Sequence, residues 1–369
     1  MDRKPGRVKK GNGQKIVVGM SGGVDSTATL ILLKKNGWNP IGISLKLSTW
    51  SKNLNQTENP KSSDRSIKLA REICKKYGCE HHTIDTKKEF ENNVIEYFVK
   101  SLENNLTPNP CMVCNKTTKF QQLIKFADSI GVKYIATGHY AKVQKSKKCN
   151  SYFLSIPKDK IKDQTYYLSL LPKEWLERII FPLGKYTKKE VYKIVKNEGL
   201  DSYQKEGQSQ DFCFIPDNSL DDFIDKEIGN KRGEMVNPEG KVLGKHRGLQ
   251  HYTIGQRKKI GLPDGPYYVI GKDNEQNKIV VSTDKKDLEK SKIILRDVFF
   301  PNENLYGKKL RVKAKIRYQQ ELTEADLFPI EKESDKYKIL FKKSKVGVTP
   351  GQYCVFYIRK NCVGSGIIV

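Results

Sequence analysis

The chain has 369 residues, 37% of them apolar, and its 68 Lys and Arg outweigh 42 Asp and Glu to give a formal charge of +26. That length fits two or three domains. No apolar run approaches the ~18 residues of a membrane span, and eight cysteines without a secretory apolar stretch do not describe a disulfide scaffold; the expectation is a soluble protein of a reducing compartment, the cytoplasm. So large a charge favours a polyanionic partner, although Asn and Lys are both abundant and a lysine-biased proteome would give the same sum. In chain order, residues 1–14 are a basic, Gly-containing tail without the amphipathic stripe of a transit peptide. From 15 to 216, strand-like patterns at Ile16 to Met20, Pro40 to Leu47, His81 to Ile84 and Lys133 to Thr137 alternate with helical ones at 66–77 and 117–130. This predicts an α/β domain, a Rossmann-like parallel sheet with helices on both faces. The polar run from Ser51 to Ser66 predicts a loop over the strand ends. Short alternating segments rich in Gly and Pro predict a small β-rich domain over 217–290 and a second, barrel-like one over 291–369.

The stretch KIVVGMSGGVDSTATLILL, Lys15 to Leu33, runs from a strand through a Gly-Gly turn into a helix, the layout of a phosphate-binding βα unit. The lysine of a GxxxxGK(S/T) loop, which reaches the β and γ phosphates, is missing. Gly22 and Gly23 can take positive φ and bring backbone N–H groups to an anion, while the helix N-terminus adds partial positive charge. Ser21 and Ser26 offer hydroxyl donors, and Asp25 a carboxylate for a magnesium ion. A bare Gly-Gly pair is often only a tight turn; the full SGGVDS after a strand favours pyrophosphate. The segment resembles the pyrophosphate loop of the ATP pyrophosphatases, the PP-loop enzymes, which adenylate a carbonyl oxygen. That resemblance implies activation by AMP and not phosphorylation.

Further motifs extend over the whole chain: TPNPCMVCNKTTKF (Thr107 to Phe120), ATGHYAK (Ala136 to Lys142), KDQTYYLSLL (Lys162 to Leu171), GQSQDFCFI (Gly207 to Ile215), GLQHYTIGQRKKIGL (Gly248 to Leu262), RYQQ (Arg317 to Gln320) and VTPGQYCVFY (Val348 to Tyr357). In that order and spacing the chain resembles the tRNA-specific 2-thiouridylases. The resemblance implies a tRNA-uridine 2-sulfurtransferase that replaces the C2 oxygen of the wobble uridine with sulfur, using ATP, Mg2+ and an upstream sulfur-donor protein, a cysteine desulfurase or relay. Carried over position by position, it implies ATP contacts at Gly19, Met20, Ser21, Gly22, Gly23, Val24, Asp25, Ser26, Leu45 and Gly138. It implies tRNA contacts at His139, Lys162, Asp163, Gln164, Arg317, Tyr318 and Gln352, with Asn109 and Pro110 beside a target base that must leave the anticodon stack. Leu45 stands where relatives often have Met, a volume-conserving change.

Replacing a carbonyl oxygen by sulfur needs a leaving group on that oxygen and a sulfur nucleophile, which cysteine provides as a thiolate or carries as a persulfide. By resemblance Cys213 carries the persulfide, and Cys114 resolves it or forms a transient disulfide with it. Cys74, Cys354 and Cys362 fit buried small hydrophobes, and Cys79 and Cys149 fit bystanders. Where many relatives have Asp in an NPDxxCN motif, this chain has Cys111, so a carboxylate base near the uracil is missing. Cys111, Cys114 and Cys213 make three thiolates, candidate ligands of a 4Fe-4S cluster whose fourth iron would bind hydrosulfide. A structural zinc would want a fourth ligand that neither Cys74 with Cys79 nor His81 with His82 obviously supplies. A third reading leaves Cys111 as a spare thiol beside a simple persulfide relay. The residues leave these open.

Lys309, Arg311, Lys313, Lys315 and Arg317 alternate with apolar residues, so a strand here would carry five cations on one face. Their mutual repulsion favours a phosphate-gripping surface over an ordinary solvated one. His246 to Arg257 is expected on a tRNA-supporting surface of the middle domain. Two other functions compete: a small-molecule amidating PP-loop synthetase, which would have no use for the basic β-rich tail, and a non-catalytic tRNA-binding relative, against which the intact SGGVDS loop and paired cysteines stand.

Overall fold

Ile16, Val17 and Val18 are all wholly buried in the strand Lys15–Gly19. Three consecutive buried residues mark a strand covered on both faces, as parallel sheets require. The computed structural model describes residues 10–50, 63–145, 151–200, 212–216, 218–331 and 333–369. Its parallel sheet runs in the order His81–Asp85, Asn39–Lys46, Lys15–Gly19, Tyr134–Ala136, Ile179–Ile180. The chain passes first to one side of Lys15–Gly19 and then to the other, so the sheet has its topological switch point at that strand's carboxyl end, where α/β sheets hold ligands. Of the expected features, residues 1–9, most of the Ser51 to Ser66 run, Cys149 and the first five residues of GQSQDFCFI lie outside the described residues.

The helix after the turn, Val24–Lys35, buries Thr27, Ala28, Thr29, Leu30, Ile31 and Leu33 completely. Apolar or small residues all round are what a central helix needs. Helix Lys188–Lys196 starts with a capping box: the Thr187 N–H donates to Glu190 Oε2 at 2.6 Å, and the Glu190 N–H to Thr187 Oγ1 at 3.3 Å. The cap fixes Lys188 in the first turn.

The described residues fall into two units. One takes in Met1–Val94, Cys111–Pro216 and Lys360–Val363; the other Ile95–Pro110, Asp217–Arg359 and Gly364–Val369. In the second, Tyr268–Asp273, Lys278–Ser282, Gly233–Val236 and Val242–His246 form a four-stranded sheet over Met235, Leu249, Val269, Ile279 and Val281. Six further strands, Glu289–Phe299, Glu333–Val346, Thr323–Ile330, Leu310–Lys315, Tyr353–Ile358 and Asn361–Ile368, close into a barrel through the pairs Leu295 with Ile368 and Arg296 with Ile367. Closure removes the sheet edges. Ile95–Pro110 joins this unit because Phe98 packs edge-on against Phe223 with ring centroids 5.7 Å apart. Among the described residues no helix is long and apolar enough to cross a membrane.

The basic strand face is shorter than its alternation predicts. Lys309, Arg311 and Lys313 are exposed, but Lys315 is only 5% exposed, with Nζ 5.6 Å from the Tyr357 ring centroid. Arg317 turns its guanidinium to Ile254 O at 2.9 Å and Thr349 Oγ1 at 2.8 Å. The antiparallel register sets Asp326 opposite Arg311 and Glu324 opposite Lys313, so neighbouring carboxylates offset much of the charge that remains. Five unrelieved cations are not present on this face.

Replacing Thr187 by Ala should cost about 1 kcal/mol through loss of the cap. Urea unfolding should show a lower midpoint at unchanged slope; an unchanged midpoint would mean the cap is not formed in solution.

Candidate active site

A cavity of about 310 Å3 opens at the carboxyl end of the central strand. Gly19, Met20, Ser21, Asp25, Ser26, Leu45 and Gly138, all expected at ATP, line it. His139 and Gln164, expected at tRNA, line the same cavity. Between them the turn is tight: Gly22 has φ of 76°, and a Cβ there would lie 2.3 Å from Ser66 O. Gly23 is extended, so only one of the two glycines uses the left-handed region. Ser26 Oγ donates to Gly23 O at 2.9 Å, and the Ser21 N–H reaches Ser26 Oγ at 3.3 Å.

Asp25 is already engaged. Lys188 Nζ lies 2.7 and 2.8 Å from its two carboxylate oxygens, and Tyr140 OH donates to Oδ1 at 2.8 Å. Burial and then the Asp25 charge push the Tyr140 phenol up, which keeps it a donor. The Lys188 N–H in turn donates to Asp159 Oδ2 at 2.9 Å. Lys188 lies in no motif of the sequence, and Tyr140, inside ATGHYAK, carries no assigned role there. A magnesium ion on Asp25 would have to exchange with the Lys188 ammonium.

The cysteines lie beside this cavity through Lys119. Cys111 and Cys114 sit on the short helix Pro110–Cys114, which runs into a π-helical turn, Asn115–Lys119. In an α-helix, residues five apart diverge by about 140°; the wider π turn instead lets the Lys119 backbone hydrogen-bond the Cys114 sulfur. Cys114 is 3% exposed, whereas Cys111 and Cys213 are open to solvent. Burial pushes the Cys114 thiol up to about 12, against the pull of the Lys119 charge. Cys111, open on one side but crowded by protein on the others, is raised for the same reason. Lys119 is half-buried and faces into the cavity, and the thiols, Cys114 first, hold it in its charged form. His139 is pushed down to about 3 by burial and then by Lys119, so it is neutral at pH 7, with Nδ1 2.8 Å from Thr137 Oγ1.

Cys213 is carried by a segment anchored through the Trp50 N–H, which donates to Phe214 O at 2.7 Å, and by Phe214 stacking edge-on with Phe90. The three thiols share the field of Lys119, but no group of three or more His, Cys, Asp or Glu among the described residues is placed to hold a metal ion. Of the three expected iron-sulfur ligands, Cys114 is buried while Cys111 and Cys213 are exposed. The zinc reading finds no ligand set among the described residues either.

The other residues expected at tRNA make the following contacts within the protein. Gln164 exchanges hydrogen bonds with the Tyr140 backbone at 2.8 and 2.9 Å. The buried Asp163 carboxylate takes the Thr165 N–H at 3.0 Å and its hydroxyl at 2.6 Å, and the Lys162 N–H donates to Asp159 Oδ1 at 3.2 Å. In the second unit, Gln352 Nε2 donates to Thr107 O at 3.1 Å and Pro108 O at 3.0 Å, and Asn109 Nδ2 donates to Gln352 Oε1 at 3.4 Å. The Tyr318 ring lies under Lys315 Nζ at 5.9 Å. Motif reading also missed Lys119: it lies inside TPNPCMVCNKTTKF, but only the π turn reveals its direction.

Because Lys119 draws Cys114 down, Lys119→Met should push that thiol further up and slow its alkylation at pH 9 about tenfold, since one pKa unit is a tenfold change in thiolate. Lys119→Arg should alkylate like the parent. Peptide mass spectrometry after timed quenching measures both; equal rates in all three proteins would remove Lys119 from the thiol's surroundings.

Family models match nearly the whole chain: tRNA methyl transferase HUP domain over residues 14–217, tRNA methyl transferase PRC-barrel domain over 221–283, and Aminomethyltransferase beta-barrel domain over 290–368. The chain is 39% identical to the tRNA-specific 2-thiouridylase MnmA of Halothermothrix orenii over 96% of its own length and 98% of that protein's. It is 37% identical to the MnmA of Clostridium acetobutylicum over 96% and 99%. Among solved structures, the U34-tRNA thiolase NcsA from Methanococcus maripaludis aligns with 55% of this chain and 62% of its own at 21% identity and a TM-score of 0.37, too loosely to carry inference. The first two model descriptions speak of methyl transfer and the end-to-end relatives of thiolation; by those relatives, the chain belongs to the tRNA-specific 2-thiouridylase family.

Proposed function

We propose that this chain thiolates the wobble uridine of tRNA at C2, at the expense of ATP. One observation carries the reading: Lys119 lines the nucleotide cavity while its backbone hydrogen-bonds the sulfur of the buried Cys114, so the phosphate loop and a thiol lie on either side of one residue. ATP would lay its pyrophosphate on the loop from Ser21 to Ser26. Mg2+ accompanying the nucleotide would offset phosphate charge, with Asp25 its protein ligand after exchange with Lys188. The uridine O2 attacks the α phosphorus, the bond to pyrophosphate breaks, and C2 gains AMP as a leaving group. The terminal sulfur of a Cys213 persulfide then attacks C2, and AMP departs with the original oxygen. Cys114 attacks the Cys213 sulfur, which breaks the S–S bond to the nucleobase, releases 2-thiouridine and leaves a disulfide for a dithiol reductant to reopen. An exposed Cys213 suits loading by a sulfur-donor protein, and a buried Cys114 suits a thiol shielded from solvent until it is used.

A hydrosulfide on a 4Fe-4S cluster is the other sulfur carrier, and it would need Cys111, Cys114 and Cys213 to converge as ligands; no step is assigned to it. In this reading residues 15–216 form the catalytic domain, and the domains over 217–290 and 291–369 carry the tRNA contacts.

The test incubates the purified chain with unmodified tRNA, ATP and a persulfide donor, and analyses wobble nucleosides by mass spectrometry. The expected result is 2-thiouridine with AMP in equal amount, lost on Cys213→Ser and retained by aerobically purified, iron-free protein. AMP release driven by ammonia without tRNA would favour the amidating synthetase, and tRNA binding without AMP formation would favour the non-catalytic relative. Activity that tracks bound iron would replace the persulfide step.

A further inference from the structure

Lysines from four separate segments of the first unit converge beside a cavity that the nucleotide site does not use. It measures about 260 Å3 and is lined by Lys142, Lys185, Tyr134, Tyr152, Phe181 and Glu177, among others. Backbone pairing brings the cations together. Lys142 lies opposite Ser155, and Ser155 opposite Asn361, so Lys360 enters from the adjoining strand; the Ile156 N–H donates to Lys360 O at 2.9 Å. The Lys158 N–H donates to Gly184 O at 2.9 Å, beside Lys185. A Cβ at position 184 would lie 1.9 Å from Ala141 O and 2.9 Å from Lys142 Cγ, so glycine there lets the Pro182–Lys185 turn close onto Lys142.

Glu177 lines the cavity and Glu190 pairs with Lys158, while neither Lys142 nor Lys360 makes an ion pair among the described residues. Burial, then the charges of Lys360, Lys185 and Lys158, push the Lys142 ammonium down. Like charges gathered in this way raise the energy of the empty site, and an anion relieves it. The barrel face differs, because Asp326 and Glu324 lie opposite its cations.

We propose that this lysine cluster is a binding site for the sugar–phosphate backbone of the substrate RNA, with Lys142 and Lys185 on one phosphodiester and Lys158 and Lys360 flanking it. The aromatic walls take an adjoining ribose or base. A run of phosphates suits cations spread over four segments better than a single free phosphate does, since each contact releases counterions. The proposal rests on the tRNA reading above.

The experiment measures Kd for unmodified tRNA between ~50 and ~200 mM salt with full-length protein, its Lys142→Glu/Lys185→Glu variant and the matching Arg/Arg variant. The Glu variant should bind tRNA about tenfold more weakly at low salt, with a log–log salt slope shallower by about two. Its KM for tRNA in thiolation should rise while kcat and ATP affinity stay at parental values, and the Arg variant should match the parent. Should the double variant fail to fold, as judged by thermal melting, Lys360→Glu at its exposed turn should still flatten the slope by about one. Unchanged tRNA affinity and slope would overturn the proposal. So would lost affinity for ATP or inorganic phosphate with tRNA binding intact, which marks a free-phosphate site, or lost sulfur uptake from the donor protein alone, which marks a protein-docking surface. A parent chain that binds no tRNA would overturn the functional reading and this site together; a binding parent with an indifferent variant overturns the site only.

Discussion

A half-buried cation, Lys119, lines the nucleotide cavity and contacts a buried thiol, and the chemistry of the first unit depends on how its charge is met. A half-buried ammonium loses much of its hydration and needs compensation. The thiols beside Lys119, Cys114 first, push its ammonium up against the effect of burial, and ATP's phosphates would supply a full counter-charge. The Lys119 charge adds to burial in pushing His139 down and opposes the effect of burial on Cys114. It is aimed by a π turn, a backbone irregularity that recurs at functional sites.

The opposite rim of the cavity has a matching device. The loop from Ser21 to Ser26 lacks the lysine that other phosphate loops carry next to their last glycine. Lysines from elsewhere in the chain stand in. Lys188, 163 positions after Asp25, reaches it from a capped helix, and Lys119 enters from the π turn. The loop itself stays small, and the cations around it come from elements with other anchors. This arrangement suits chemistry at the α phosphorus, where the leaving pyrophosphate and the incoming oxygen both need stabilisation in a water-poor cleft.

Much of the fold was legible because it rests on local periodicity. The apolar run Ile16 to Val18 had to be a covered strand, and alternation of strands with helices had to give a parallel sheet. Cys74, Cys354 and Cys362, taken from their lone positions as small hydrophobes, are indeed buried. Partner-dependent features were not legible. The alternation from Lys309 to Arg317 says nothing of the carboxylates that the register sets opposite, nor that Lys315 and Arg317 turn inward. Lys119 stood inside a recognised motif, but five places after Cys114 it would point away from it in a regular helix. Lys188 and Tyr140 meet Asp25 only through long-range packing, which no single segment encodes.

In the proposed reaction one cation, Lys119, serves both adenylation and sulfur transfer. The most direct measurement uses ATP labelled at the α phosphorus with unmodified tRNA and a Cys213→Ser enzyme, in which sulfur cannot be delivered. Labelled AMP should accumulate on the tRNA, and adding Lys119→Met should reduce that label about 10²- to 10³-fold, the usual loss of a preorganised electrostatic group. Undiminished labelling in the Lys119→Met protein, or no labelled tRNA with Cys213→Ser alone, would contradict it.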